Sequence, residues 1–108
     1  MTLSLPDPIT VYFEISNGSG SARLAQCFTE DAVVTDENCT HRGLDAIQAW
    51  KHEARSKFDY SVEPVSVARD SDRITVTANL VGNFPGSPVL LDHKFELAGD
   101  KIKSLQIG

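Results

Sequence analysis

The second half of the chain alternates between apolar and polar positions, which is the pattern of half-buried strands. After Phe58 come four segments rich in Val, Ile and Thr, separated by the turn signals DSD, FPGSP and AGD. The segments are YSVEPVSVARD, RITVTANLVGNF, PVLLDHKFELAG and KIKSLQIG. They predict four strands of a meandering antiparallel sheet. Because proline cannot donate to a strand ladder, Pro64 predicts an edge position or a bulge in the first strand.

The first half of the chain carries apolar residues at helical spacing. Asp7, as a cap, and Pro8 predict the start of a first helix that ends at Asn17-Gly18. Its inner face holds Ile9, Tyr12, Phe13 and Ser16. Ser21 is the predicted cap of a short second helix. The inner stripe of this helix consists of Leu24, Ala25 and Phe28.

One short strand is predicted between the second helix and a third. The β-branched run AVVTDE predicts a strand over Ala32–Glu37, and NCTHR predicts a polar connection after it. Gly43 opens the third helix. Its predicted inner side consists of Leu44, Ile47, Trp50, Ala54 and Phe58.

Helices thus come before most of the strands, and this order predicts an α+β fold in which a curved antiparallel sheet wraps around three helices. The length of 108 residues predicts a single domain, 1–108. On the strand RITVTANLVGNF, one face is apolar and the other carries Val81 with the threonines. The second face predicts a homodimer through the outer side of the sheet, and the alternative is an ordinary half-exposed threonine face.

Composition narrows the classes of partner. The net charge of -5 and the lack of any Lys/Arg cluster argue against nucleic-acid binding. No apolar run is long enough to span a bilayer, and the N-terminus lacks the basic region of a signal peptide, so we expect a cytoplasmic protein without membrane association. Cys27 and Cys39 do not have metal-ligand spacing. A disulfide between them stays open, with free thiols in a reducing cytosol as the preferred interpretation.

The order of several short motifs resembles the NTF2-like superfamily, and within it the SnoaL-like and ketosteroid-isomerase-like (polyketide cyclase-type) proteins. The motifs are YFEISNGS, LAQCFTEDAVVTDE, HRGLDAIQAW and FELAGDKIKSLQ, which together extend over essentially the whole chain. The resemblance implies a cone-shaped (cystatin-like) sheet closed by helices, with a pocket inside and frequent dimerisation. It does not fix the function, because this fold hosts isomerases, cyclases, dehydratases, hydrolases and binding modules.

The resemblance also implies site residues. Ketosteroid isomerase uses an Asp base and an oxyanion hole made of a Tyr and a protonated Asp. Tyr12 falls at the position of the family's Tyr, and Asp36 falls at the position of the base. The second oxyanion acid has no counterpart, because Val89 or Leu90 aligns there and both are apolar. His93 is the polar group that this apolar strand face offers instead.

Enolisation requires a base within reach of a C–H group and a donor directed at the carbonyl oxygen. The candidate catalytic residues are Asp36 as base, Tyr12 as a hydrogen-bond donor, and His93 as a second donor or the acid–base partner. The candidate substrate-binding residues are Trp50, Phe13 and Leu91. The structural alternatives are a core tyrosine, a turn aspartate, a core histidine and an aromatic core stripe.

Two hypotheses of different class follow. The first is a cofactor-independent isomerase or cyclase that acts on a small hydrophobic molecule bearing a carbonyl group, with neither metal nor cofactor expected. The alternative is a non-catalytic module of the same fold that binds a small ligand or forms a dimer, with Asp36 in a structural role. A third interpretation, a protein-binding subunit, requires an exposed apolar patch that a sequence does not reveal.

Overall fold

The computed structural model describes residues 5–17, 24–36, 38–57 and 59–108. Ser21, Glu37 and Phe58, which enter the predictions above, lie outside these ranges, and so does the side chain of Ala54. The elements within the ranges are α1 (Asp7–Ser16), α2 (Leu24–Cys27), β1 (Phe28–Asp36), β2 (Cys39–Arg42), α3 (Leu44–Lys57), β3 (Tyr60–Asp70), β4 (Arg73–Gly82), β5 (Val89–Ala98) and β6 (Lys101–Ile107).

The strands form one curved sheet in the order β2-β1-β6-β5-β4-β3. The meander of β3 to β6 confirms the four strands predicted after Phe58. β1 and β6 run parallel, whereas the other pairings are antiparallel. The sequence analysis gave β1 no partner strand, so this parallel pair was not predicted. A parallel pairing needs a long crossover, and alternation within a strand does not reveal which distant strand lies beside it.

The segment around β1 differs from the prediction at both ends. β1 begins at Phe28 rather than Ala32, so that Phe28 is a buried strand residue and α2 shrinks to a single turn. The predicted connection NCTHR contains β2, which pairs with β1 from Cys39 opposite Asp36. Asn38 adopts a left-handed conformation, φ 65°, which asparagine tolerates and which allows the tight reversal. The polar composition of β2 is compatible with an edge strand.

The edge strand β3 and the start of α1 show how proline acts locally. β3 is an edge strand, and its register with β4 shifts between Pro64 and Ser66, so both predicted consequences of Pro64 are present.

At α1 the prediction of Asp7 as cap was wrong: Pro6 occupies the capping position without a side-chain hydrogen bond. Asp7 lies in the first turn, where its carboxylate interacts favourably with the positive end of the helix dipole and stabilises the helix.

The core lies between the inner face of the sheet and helices α1 and α3. Ile74, Val76 and Ala78 of β4 are buried there, as the alternation predicted. Tyr12 of α1 contacts Phe28 and Phe95 edge-on, with ring centroids 6.0 and 5.5 Å apart. Edge-to-face aromatic pairs of this kind stabilise a fold beyond the contribution of the area that they bury.

Asn17 ties the end of α1 to β3. Its Nδ2 donates to the Val62 carbonyl at 2.8 Å, and the Val62 amide donates to Asn17 Oδ1 at 2.7 Å. The side-chain amide thus continues the hydrogen bonding of an edge strand, which places α1 against β3.

Neither cysteine is part of a disulfide: Cys27 is buried and Cys39 is exposed. In the described part of the chain, no helix has the length and apolar character needed to span a bilayer.

Candidate active site

A cavity of about 630 Å³ lies on the inner side of the sheet, next to α1 and α3. Its polar lining consists of Tyr12, Ser16, Asp36, Cys39, His41, Lys51, Glu53, Tyr60 and His93. Its apolar lining consists of Trp50, Val62, Leu80, Phe84, Pro85, Val89, Leu91 and Ile107. An apolar wall with several convergent polar groups is typical of a small-molecule site.

Asp36 is the last residue of β1, with Cys39 of β2 on one side and Ile107 of β6 on the other. The strand end directs its half-buried carboxylate toward α3, where the Trp50 Nε1–H donates to Asp36 Oδ2 at 3.2 Å. Because the indole N–H is a donor only, this contact orients the carboxylate as an acceptor.

Two further side chains contact the ring system of Trp50. The His41 ring stacks on it, with centroids 5.7 Å apart and 26° between the planes. The Lys51 ammonium lies 4.8 Å from the Trp50 ring centroid. These contacts fix the indole that positions Asp36.

Lys51 is a buried cation in this cavity, with only 5% of its surface exposed. Its Nζ donates to Ser16 Oγ at 2.7 Å and lies 4.8 Å from the Tyr12 ring centroid. Burial of an ammonium is costly unless hydrogen bonds and ring faces replace its water. Lys51 therefore connects α3 to α1 at the cavity wall.

Tyr12 is a neutral phenol at this site. Burial raises its pKa far above the ordinary value, and a hydrogen bond with the Ser16 side chain offsets only part of this effect. The charge of Asp36 raises the pKa of Tyr12 further. The hydroxyl therefore keeps its proton throughout the neutral range.

His93 is 2% exposed and packs among the rings of Tyr12, Phe13 and Phe95, with centroids 5.4 to 6.2 Å away. Its Nδ1 lies 3.2 Å from the Leu91 carbonyl oxygen. Since a carbonyl only accepts, the neutral ring carries its proton on Nδ1 and its lone pair on Nε2.

The environment keeps His93 uncharged. Burial is the main cause that lowers the pKa of His93 to about 4, and the Lys51 charge acts in the same direction. The Leu91 hydrogen bond and Asp92 oppose this shift. Near pH 7 the ring therefore presents an acceptor at Nε2, which is compatible with an acid–base role and not with that of a second donor.

Five of the six residues singled out from the sequence line the same cavity: Tyr12, Asp36, Trp50, Leu91 and His93. Phe13 is not among the described lining residues and instead packs behind Tyr12 and His93, with ring centroids 5.2 and 5.4 Å away. Of the two residues that the resemblance aligns with the second acid of ketosteroid isomerase, Val89 lines the cavity, whereas Leu90 is 61% exposed.

Lys51 is the principal site residue that the sequence analysis missed. The predicted inner side of α3 included Ile47 and Trp50 but not Lys51. Its spacing contained the signal, because Lys51 lies four residues after buried Ile47 and seven after half-buried Leu44. Ser16 occupies the equivalent inner position on α1, and the two polar residues bind each other.

Across the described ranges, no group of three or more His, Cys, Asp or Glu side chains is arranged to hold a metal ion. The polar groups of the cavity instead include the Asp36 carboxylate, the Tyr12 phenol, the His93 imidazole and the Lys51 ammonium. Together they can accept a proton and stabilise negative charge on an oxygen atom.

Comparison with known structures points to one fold. A candidate polyketide cyclase from Sinorhizobium meliloti is 36% identical, with 96% of this chain and 95% of that chain covered and a TM-score of 0.92. A protein of ketosteroid isomerase-like fold from Catenulispora acidiphila, solved with trimethylamine, is 21% identical (97% and 86% covered, TM-score 0.85). The epoxide hydrolase/cyclase-like enzyme SalBIII is 18% identical (94% and 86% covered, TM-score 0.77).

The last two similarities are too low in identity to show more than the fold. No curated protein matches the sequence. Residues 9–104 match the SnoaL-like domain family, which is nearly the whole chain. The chain therefore belongs to the SnoaL-like family and has the NTF2-like fold.

Proposed function

We propose that this protein is a cofactor-independent enzyme that enolises a carbonyl group on a small hydrophobic molecule, as an isomerase or a cyclase does. One observation carries the proposal: the Asp36 carboxylate, oriented by the Trp50 indole, shares a cavity with the buried, neutral Tyr12 hydroxyl. Membership of the SnoaL-like family and the similarity to a candidate polyketide cyclase support the same reaction class.

The chemistry follows from these groups. Asp36 takes a proton from the carbon next to the carbonyl, and the C–H electron pair forms the C=C bond of an enolate. The carbonyl π electrons move to oxygen, where the Tyr12 O–H donates a hydrogen bond to the developing charge. Return of the proton to a different carbon completes an isomerisation. In a cyclisation, the enolate carbon instead attacks a second carbonyl, whose π electrons move to its oxygen, and this oxygen takes up the proton held by Asp36.

The remaining residues shape the ligand site. Trp50 and Leu91 supply apolar walls. His93 accepts a hydrogen bond from a substrate hydroxyl through Nε2, since its Nδ1–H is directed at Leu91. Phe13 positions the Tyr12 and His93 rings from behind.

Deuterium exchange tests the proposal. Cyclic ketones and 1,3-dicarbonyl compounds are incubated with the protein in D2O, and loss of the α-proton signal is followed by NMR. The wild type is expected to accelerate exchange of at least one class, and Asp36→Asn is expected to lower that rate about 100-fold or more, the usual contribution of a general base. Asp100→Asn, in the exposed β5–β6 turn, is the matched control and is expected to exchange at the wild-type rate. Exchange that survives unchanged in Asp36→Asn would contradict the proposal.

A non-catalytic ligand-binding module is the second candidate function. It is favoured by one observation, the apolar Val89 at the position of the second oxyanion acid. In that case the same compounds raise the melting temperature of the protein without any exchange of their α-protons.

A further inference from the structure

The cavity wall contains a cation that enolisation by Asp36 and Tyr12 does not use. Lys51 lines the cavity, and its Nζ is held by Ser16 Oγ at 2.7 Å. The same Nζ lies 4.8 Å from the ring centroids of both Tyr12 and Trp50. Three contacts from α1 and α3 thus place one positive charge at a defined point.

The position of Lys51 favours negative charge on the ligand atom that lies next to it. Aromatic faces attract cations, so Tyr12 and Trp50 on their own favour an ammonium ligand. Here the chain's own ammonium occupies the site over both rings. A second cation would be repelled there, whereas an anionic oxygen would meet a fixed, desolvated positive charge.

The Lys51 charge acts across the cavity as well as locally. It contributes to the lowered pKa of His93 on β5, whose ring centroid lies 6.1 Å from that of Tyr12. Because Ser16 and the two rings hold the ammonium before any ligand arrives, little reorganisation is needed when negative charge develops on a bound oxygen.

We propose that Lys51 binds the acidic oxygen of the ligand, and that the cavity selects molecules with an enolic or phenolic oxygen over amines. The inference rests on the proposed function, in that the same oxygen bears the charge of the enolate. A purely structural Lys51, which only joins α3 to α1, would change the stability of the protein without changing the ionisation of a bound ligand.

The test uses 4-nitrophenol, whose anion is distinguished from the neutral phenol by its visible absorbance. The wild type is expected to bind the anion and to lower the apparent pKa of the bound phenol by about one unit or more, as a close opposite charge does. Lys51→Met preserves side-chain length and removes the charge. It is expected to weaken anion binding about 10- to 100-fold and to abolish the shift.

Three controls separate charge from folding. 4-Nitroanisole has no ionisable oxygen and is expected to bind the wild type and Lys51→Met equally if the cavity is intact. Lys51→Arg keeps the charge and is expected to retain most of the shift. Lys94→Met, on the exposed face of β5, is expected to behave as the wild type. An unchanged shift in a folded Lys51→Met protein would overturn the inference.

A second measurement needs no variant. The wild type is expected to bind 4-nitrophenolate at least about tenfold more tightly than benzyltrimethylammonium, a cation of similar size. Equal or tighter binding of the ammonium would overturn the inference even if Lys51→Met did not fold.

The Asp36→Asn variant distinguishes this inference from the proposed function. It is expected to lose α-proton exchange and to keep anion binding, because the charge that binds the oxygen is still present. Anion binding without any wild-type exchange would support the role of Lys51 and contradict the proposed enolisation. Conversely, α-proton exchange by the wild type, together with an unchanged pKa shift of the bound phenol in Lys51→Met, would support the proposed enolisation and contradict the role of Lys51.

Discussion

At the scale of single residues, the polar groups of the cavity are held by one another. The Trp50 indole orients Asp36, Ser16 binds Lys51, and the Leu91 carbonyl fixes the tautomer of His93. Such groups are held in one direction, which is the condition for a preorganised site.

His93 gives a prediction for stability. The folded protein protonates His93 only below a pKa of about 4, whereas the unfolded chain does so below about 6.5. Between these values the unfolded chain binds more protons, so stability is complete above pH 6.5 and falls as the pH falls toward 4. From pH 7 to pH 5 the loss due to His93 is about 2 kcal/mol.

Urea unfolding of the wild type and of His93→Phe at pH 7 and pH 5 measures this loss. Between pH 7 and pH 5, the unfolding free energy of the wild type is expected to fall by about 2 kcal/mol more than that of His93→Phe. His52→Gln, an exposed position on α3, is the control and is expected to match the wild type. An equal loss in all three proteins would show that His93 is not buried in its neutral form.

Single residues also show which parts of the candidate site could be predicted from the sequence. Tyr12 and Asp36 were predicted from the resemblance to the family, and the structure brings them to one cavity. Lys51 was missed because its residue type suggests solvent, and only a specific partner such as Ser16 makes a buried ammonium tolerable. That partner lies 35 residues away, beyond any local pattern.

At the scale of elements, side-chain hydrogen bonds position the helices on the sheet. Ser16 and Lys51 join α1 to α3, and Asn17 joins the end of α1 to β3. Since Tyr12 lies one turn before these residues, its position in the cavity depends on both connections.

Asn17→Ala tests the connection to β3. Loss of two hydrogen bonds, with the Val62 amide and carbonyl left without their partner, is expected to cost about 1–3 kcal/mol of unfolding free energy. Chemical denaturation measures this cost, and hydrogen exchange of the Val62 amide is expected to accelerate in parallel. Gln48→Ala, exposed on α3, is the control for the loss of a surface amide. A Val62 amide that stays equally protected would show that Asn17 does not hold β3.

Element prediction succeeded where the pattern was strong. The strands β3 to β6 alternate clearly between apolar and polar residues, and α3 begins directly after Gly43. β2 was missed because its residues are polar, and the edge position that permits this depends on sheet order. The start of β1 was misplaced because Phe28 fits a helical stripe and a buried strand equally well.

At the scale of the whole molecule, the outer face of the sheet retains exposed apolar side chains. Val81 on β4 is 46% exposed and Leu90 on β5 is 61% exposed, with Val65 on β3 also exposed. The homodimer expected from the sequence therefore stays a prediction, with this outer face as its interface.

Light scattering on a sizing column tests the dimer. The wild type is expected to elute with twice the monomer mass at micromolar concentration, and Leu90→Lys is expected to shift toward the monomer because it places a charge in the interface. Gln48→Lys, exposed on α3, adds the same charge away from the sheet and is expected to remain dimeric. A monomeric wild type at this concentration would refute the prediction.

The central claim is that Asp36 and Tyr12 act on one ligand in one cavity, with Lys51 at its oxygen. The most direct measurement is a crystal structure of the protein with 4-nitrophenol bound. The account predicts the phenolic oxygen within hydrogen-bond distance, about 3 Å, of Tyr12 Oη or Lys51 Nζ, and the Asp36 carboxylate beside the ring carbons. A ligand bound outside this cavity, or bound with its oxygen directed away from both donors, would contradict the account.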